Sequence, residues 1–408
     1  MSKIAVIGAG PAGLMAAAAA AGRGHETILF EKNDKAGRKI YITGKGRCNV
    51  TNACDADRLM AGVARNGKFL YSAFNAFNNR DAMDMFERLG VRLVEERGER
   101  VFPKSGKASD ITAALLKNSQ KSGAIFMPQS KVLSIEAGES VSAVKLENGS
   151  SVSCDAAIIC TGGITYPTTG STGDGFMWAK ELRHTVEKPI PALVPLVTEE
   201  KWPVLLQGLS LKNVGVTAKR KGKTIYSGFG EMLFTHFGVS GPLIIELSSR
   251  IAEEPRGVKI HIDLKPALDM DTLDKRLIKE LGEAGKKQLG NSLTGLLPSK
   301  LIPVFKDMLD SRGISAGTRA VDITRAQRTE MAGLLKSLEL TVSSSRGASE
   351  AIVTRGGISI KNINPSTMES KIVKGLYFAG EVIDVDGFTG GYNIQIALST
   401  GFLAGSSC

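Results

Sequence analysis

The chain has 408 residues, 42% hydrophobic and 23% charged, with 52 Lys and Arg against 41 Asp and Glu for a net charge of +11. These are ordinary values for a folded chain of two or three domains. They exclude a low-hydrophobicity disordered chain, and no run approaches the roughly 18 apolar residues of a membrane span.

The first segment is the most informative. Ile4–Ile7 reads as a buried parallel strand, followed by Gly8-Ala9-Gly10-Pro11-Ala12-Gly13. Gly8 allows a tight turn, Gly10 lets a pyrophosphate approach the backbone, and Gly13 lets the next helix pack on the strand. The helix opening at Pro11 and Ala12 turns free N–H groups toward the phosphates. Thr27–Phe30 is the second strand, and Glu31 follows Gly13 by 18 residues. A carboxylate there accepts ribose hydroxyls and repels a 2′-phosphate, so FAD or NAD is expected rather than NADP.

A basic, glycine-rich loop, Asn33–Asn52, comes next. Lys32, Arg38, Lys39 and Arg47 are its cations toward a diphosphate, with Lys45 beside them. Gly44 and Gly46 permit close approach, Asn49 and Thr51 can hydrogen-bond flavin heteroatoms, and Thr43 and Cys48 are further cofactor-binding candidates. It is not a P-loop, since GxxxxGK[ST] is absent. Helices are predicted at about 56–64, 81–89 and 109–119, the last capped by Ser109 or Asp110. Then come a strand at 125–127, a meander at 131–137, 141–147 and 151–154, and a buried strand at 156–160 ending in Thr161-Gly162-Gly163. This order resembles the FAD domain of the glutathione-reductase type.

The pattern changes near Pro189–Pro195. Alternation at 209–219 and 223–227 predicts a β-rich domain, and 272–309 has helical periodicity. Strands at 338–343 and 351–354 are read as returning to the β-rich part. From Gly375 a strand runs into Gly380-Glu381. Asp384, Asp386 and Gly387 follow, and Gly390-Gly391-Tyr392-Asn393 opens an apolar helix at Ile394. A helix N-terminus there would stabilise an anionic reduced flavin ring. The domain expectation is an FAD-binding part at 1–190, a β-rich insert at 191–265, a helical subdomain at 266–335, a β-rich return at 336–355 and a closing FAD-binding part at 356–408.

Five cysteines without a CxxC, and four histidines apart from them, argue against a metal site or a disulfide framework. Cys48 and Cys54 are not spaced like a flavin disulfide reductase pair. Lys117, Lys121, Lys131, Lys219, Arg220 and Lys221 are dispersed, without an aromatic-interleaved basic stripe. A small-molecule substrate is therefore expected, with no nucleic acid and no membrane as partner; oligomeric state is not readable. No basic n-region precedes an apolar segment, so a cytoplasmic location is expected.

Val6–Gly13, Lys39–Asn52, Phe102–Asp110, Thr161–Gly163, Phe234–Pro242, Thr354–Ile358, Met368–Lys371 and Gly375–Gly401 together resemble the YhiN/BaiN-like flavoproteins, which include aminoacetone oxidases and 3-dehydro-bile acid reductases. The resemblance covers nearly the whole chain. It implies an α/β fold, a discontinuous Rossmann-like FAD domain with inserted β-barrel and helical subdomains, and no separate NAD domain. It also implies an NADH-driven reduction of a conjugated C=C in a 3-oxo-Δ4 or Δ4,6 steroid, with an aminoacetone-type amine oxidase as rival; from other classes, a tRNA-modifying flavoprotein and a redox sensor without turnover are the alternatives. Ile358, Asn362 and Ile396 depart from the family pattern and suggest a wider, less charged pocket. His236, Tyr166 and Tyr392 are the candidate proton donors, a buried core role being the plainer reading of His236.

Overall fold

A computed structural model describes all residues, Met1–Cys408. The chain forms two compact units, Met1–Leu193 with Gly347–Cys408, and Val194–Arg346.

The first unit is built on a five-stranded sheet ordered Leu376–Phe378, Ala156–Ile159, Lys3–Ile7, Glu26–Phe30 and Ile125–Met127. Every pairing in it is parallel. The strands are short and almost entirely apolar, as a sheet covered on both faces requires. The helices Pro11–Gly22 and Tyr392–Ser407 pack against each other over small residues. A methyl group at Gly401 would stand 2.3 Å from the Ala12 carbonyl oxygen, and one at Gly405 2.2 Å from that of Ala16. The alanine-rich start of the chain thus closes against its C-terminal helix. The meander is antiparallel, ordered Ser151–Ser153, Val141–Leu146, Val132–Ala137.

The second unit is a closed six-stranded barrel, Leu196–Thr198, Gly238–Ser240, Lys223–Thr235, Ser210–Arg220, Lys259–Asp263 and Leu338–Ser345, with a helical segment between its last two strands in chain order. Its core is separate and runs from Leu196 to Val342.

The structure corrects several elements. The strand expected at 223–227 continues to Thr235. The helical block breaks into Met270–Ala284, Leu289–Ser292 and Ile302–Asp310, with 3-10 turns between them. The helix at 56–64 stops at Ala61, because Val63–Arg65 pairs with Asp386–Gly387. The strand expected near 351–354 is Val353–Ile358, which pairs with Val186–Ala192 in the first unit and not with the barrel. The helix after Phe102 begins at Ala108 after Lys107, so neither Ser109 nor Asp110 caps it.

Candidate active site

In an open parallel sheet the crevice lies beyond the carboxyl ends of the strands. A cleft lies there in the first unit. It follows the strand order. Phe30, Glu31, Lys32, Asn33, Ser130, Lys131 and Val132 wall one end, Gly8, Gly10, Pro11 and Ala12 the middle, and Thr161, Gly162, Ala379, Gly380, Glu381, Val385, Asn393 and Ile394 the other.

The first turn is built for close approach. Gly8 has φ +102°, and a methyl there would stand 2.7 Å from the Cys160 carbonyl oxygen. A methyl at Gly13 would stand 1.8 Å from the Gly8 oxygen, so only glycine lets the helix start against the strand. At Gly10 a methyl would meet nothing within 4 Å, because the space in front is the cleft. Gly10 caps the helix without a side-chain hydrogen bond, and Pro11 needs no donor, so the first-turn N–H groups stay available to an anion. The last helix repeats the device: Gly391, at φ +99°, caps it without a side chain.

Glu31 is 8% exposed. Its carboxylate accepts from Ala9 N at 2.9 Å, Asn33 N at 2.9 Å and Asn33 Nδ2 at 2.6 Å. A carboxylate has about four acceptor positions, so one remains for a ligand. Lys32 donates to Thr172 Oγ1 at 2.6 Å and pairs with Asp174 at 2.8 Å, and Arg38 donates to Asn33 Oδ1 at 2.9 Å. Lys39 bridges Glu381 at 2.7 Å and Thr165 at 2.7 Å, while Thr354 N donates to Glu381 Oε1 at 2.7 Å. Thr161 lines the cleft, and its Oγ1 is buried against Gly175 with no hydrogen-bond partner. A cleft with available helix N–H groups, a bare glycine turn and a buried carboxylate with one acceptor position left fits a dinucleotide.

The other expected site residues fall off the wall. Thr43 lines the cleft, but Gly44, Gly46, Arg47, Cys48 and Asn49 do not. Arg47 pairs with Glu96 at 2.7 Å and lies 4.1 Å over the Phe102 ring. Gly44, Lys45 and Gly46 are left-handed in succession, and Asn49 Oδ1 is buried without a partner. Cys48 is fully buried, which pushes its thiol up to about 12; burial also raises Cys54. Gly163 packs against Thr354, and Gly390 against Tyr392. Asp386 turns from the cleft to Arg355, with oxygens 3.1 and 2.9 Å from Nε and Nη2. Its neighbour Asp384 accepts from Arg65 Nε at 2.7 Å and Asn66 Nδ2 at 3.0 Å. Between these two carboxylates, Val385 lines the cleft.

None of the three candidate proton donors lines the cleft. The Tyr392 ring lies in a cradle of Gly62, Gly387 and Gly390, and its hydroxyl meets Cys54. Tyr166 is left-handed at φ +53° before a 3-10 turn. His236 is exposed at the turn after Lys223–Thr235 and packs edge-on to Phe237, so the core reading of it is wrong. The buried histidine is His184, bonded through Nε2 to Ser370 at 2.7 Å. Ile396 lines the cleft, but Ile358 is core and Asn362 accepts from Thr185 N at 2.8 Å; neither shapes the pocket. Sequence reasoning missed Val132, Trp178, Asp174 and Val385. Trp178 donates from Nε1 to Leu133 O at 2.7 Å, joining a helix to the meander, and no local motif announces that contact.

The fold and cleft define an FAD-dependent oxidoreductase. The profile described as HI0933-like protein Rossmann domain matches residues 2–407, and the chain belongs to that family. It is 30% identical over 419 residues to the 3-dehydro-bile acid delta(4,6)-reductase of Clostridium scindens, covering 99% of this chain and 98% of the relative. It is 32% identical over 404 residues to the ribosomal RNA dihydrouridine synthase of Haemophilus influenzae, covering 97% and 96%. The 3-ketosteroid delta1-dehydrogenase of Sterolibacterium denitrificans shares the fold, with a TM-score of 0.53 at 12% identity over 99% of this chain and 98% of that one. No helix is long and apolar enough to cross a membrane.

Proposed function

We propose that the protein, reduced by NADH, uses FAD held along the cleft to reduce a C=C bond conjugated to a carbonyl. The observation that carries this reading is the pair of whole-length relatives: a Δ4,6-reductase of a 3-oxo steroid and an enzyme forming dihydrouridine both, by name, saturate a C=C next to a carbonyl. FAD supplies hydride chemistry at N5 when bound. Gly8, Gly10, Pro11 and Ala12 hold the pyrophosphate on the helix N-terminus, and the remaining acceptor position of Glu31 takes a ribose hydroxyl. Thr161 and Gly162 contact the middle of the cofactor. The glycine-capped N-terminus of the last helix, at Asn393 and Ile394, takes the polar edge of the ring and favours its anionic form.

The substrate we assign is a 3-oxo-Δ4 or Δ4,6 steroid of the bile-acid type. A second reading, a uridine in RNA, is favoured by the dihydrouridine synthase relative and by the net charge of +11. The proton for the second carbon comes from water or a side chain, and Tyr166→Phe, Tyr392→Phe and His236→Ala separate the candidates. Loss of a true acid slows turnover by about 10²-fold or more. Anaerobic mixing of NADH-reduced protein with a dienone steroid or a uridine-containing RNA tests the reading. Reoxidation by one of them supports it. Reoxidation by neither, with aminoacetone reducing the oxidised protein, makes it an amine oxidase instead.

A further inference from the structure

The longest hairpin of the barrel ends in Lys219-Arg220-Lys221-Gly222-Lys223, four cations in five residues. Lys221 at φ +47° and Gly222 at φ +79° make a tight two-residue turn, which holds the tip as a narrow ribbon. Lys219 stands directly opposite Lys259 in the antiparallel register with Lys259–Asp263. Like charges directly opposed across strands destabilise a sheet. Glu339, at 2.6 Å, compensates Lys259, and Glu254 engages Arg220. Lys219, Lys221 and Lys223 form no ion pair, and the last two are exposed. The flanking apolar residues Ala218 and Tyr226 point into the barrel, so the tip presents cations without an apolar anchor.

We infer that this hairpin tip is a docking surface for the phosphate backbone of single-stranded RNA. An anionic membrane would also attract lysines, but surface binding of that kind is completed by apolar side chains, which the tip lacks. Phosphate contacts position a nucleic acid without reading its sequence, so a short cationic ribbon suffices for this role. The choice of RNA among polyanions rests on the uridine reading above; the cationic surface does not.

The test is fluorescence anisotropy of a labelled single-stranded RNA with the oxidised, FAD-loaded protein between 50 and 200 mM salt. Each phosphate neutralised on a single strand contributes about 0.7 to the slope of log K against log salt. Replacing Lys219, Lys221 and Lys223 together by Gln should lower the slope by about 2 and weaken binding about tenfold or more at the low-salt end. Replacement of the same three by Arg should retain both. Both variants should bind FAD and unfold in urea as the unaltered protein does, which shows that they fold. An unaltered slope in the Gln variant overturns the inference, as does equal or tighter binding to phosphatidylglycerol vesicles that the Gln variant loses. No turnover enters the binding measurement, so failure of the reductase reading leaves this result standing, and the reverse.

Discussion

Removing the Arg355 guanidinium should unlock the wall of the cleft. Asp386 is 1% exposed, and Arg355 binds both its oxygens at 3.1 and 2.9 Å. Deleting one partner of a buried pair costs about 3–5 kcal/mol, because the remaining charge is buried without compensation. Replacing both by apolar residues of similar volume is often neutral. Arg355→Met should therefore cost several kcal/mol, while Arg355→Met with Asp386→Leu recovers most of it. The pH dependence has a definite sign. Burial already raises the Asp386 carboxyl above its ordinary value, and the Arg355 hydrogen bonds oppose this. Without Arg355 the folded value rises further, so the native state binds more protons than the unfolded chain above about pH 4. The penalty should be small near pH 4 and grow toward pH 7. Trp178 and Trp202 are the only tryptophans, so in a Trp202→Phe background urea unfolding followed by fluorescence reports the first unit alone. A penalty under about 1 kcal/mol at pH 7, one flat with pH, or a double variant that sums the singles would refute the reasoning.

Three further outcomes follow from the site. Glu31→Ala should weaken FAD by about 1.5–3 kcal/mol for the lost bond to a charged acceptor, and should lower the stability of the flavin-free protein through Ala9 and Asn33; calorimetric titration with FAD reads the first, and unchanged affinity removes Glu31 from the site. Gly13→Ala should abolish FAD binding, since its methyl would stand 1.8 Å from the Gly8 oxygen; a yellow, folded variant would contradict this. Replacing Cys48 and Cys54 by Ala should leave NADH-driven turnover intact, since both thiols are buried and held protonated; loss of turnover, with a wild-type thiol count that falls by two on oxidation, would show a redox pair.

The parts legible in the sequence are those whose geometry is local. Gly8, Gly10 and Gly13 are dictated by a turn of six residues, and Glu31 by the end of the next strand, so residue type and spacing suffice. Parallel strands buried on both faces are continuous apolar runs, and this made the sheet readable. Contacts made across the chain left no such trace. A basic residue in a glycine loop suggests a phosphate cation, but Glu96 and Phe102 hold Arg47. Asp386, which follows Gly380-Glu381 in the sequence, has the position of a cofactor-binding acid, but Arg355 reaches it from another strand. Val353–Ile358 has the pattern of any short strand, and only pairing with Val186–Ala192 assigns it to the first unit. Trp178 was invisible because its one polar bond reaches a carbonyl 45 residues away.

In the proposed reaction, electrons leave this protein to a conjugated C=C bond. Anaerobic stopped-flow reads it directly: the holoprotein is reduced with NADH, then mixed with a 3-oxo-Δ4,6 steroid, and flavin absorbance is followed against the same mixing with air-saturated buffer. Faster reoxidation by the steroid, with the saturated ketone as product, is the predicted result. Reoxidation by oxygen alone, together with reduction of the oxidised protein by aminoacetone, would contradict it.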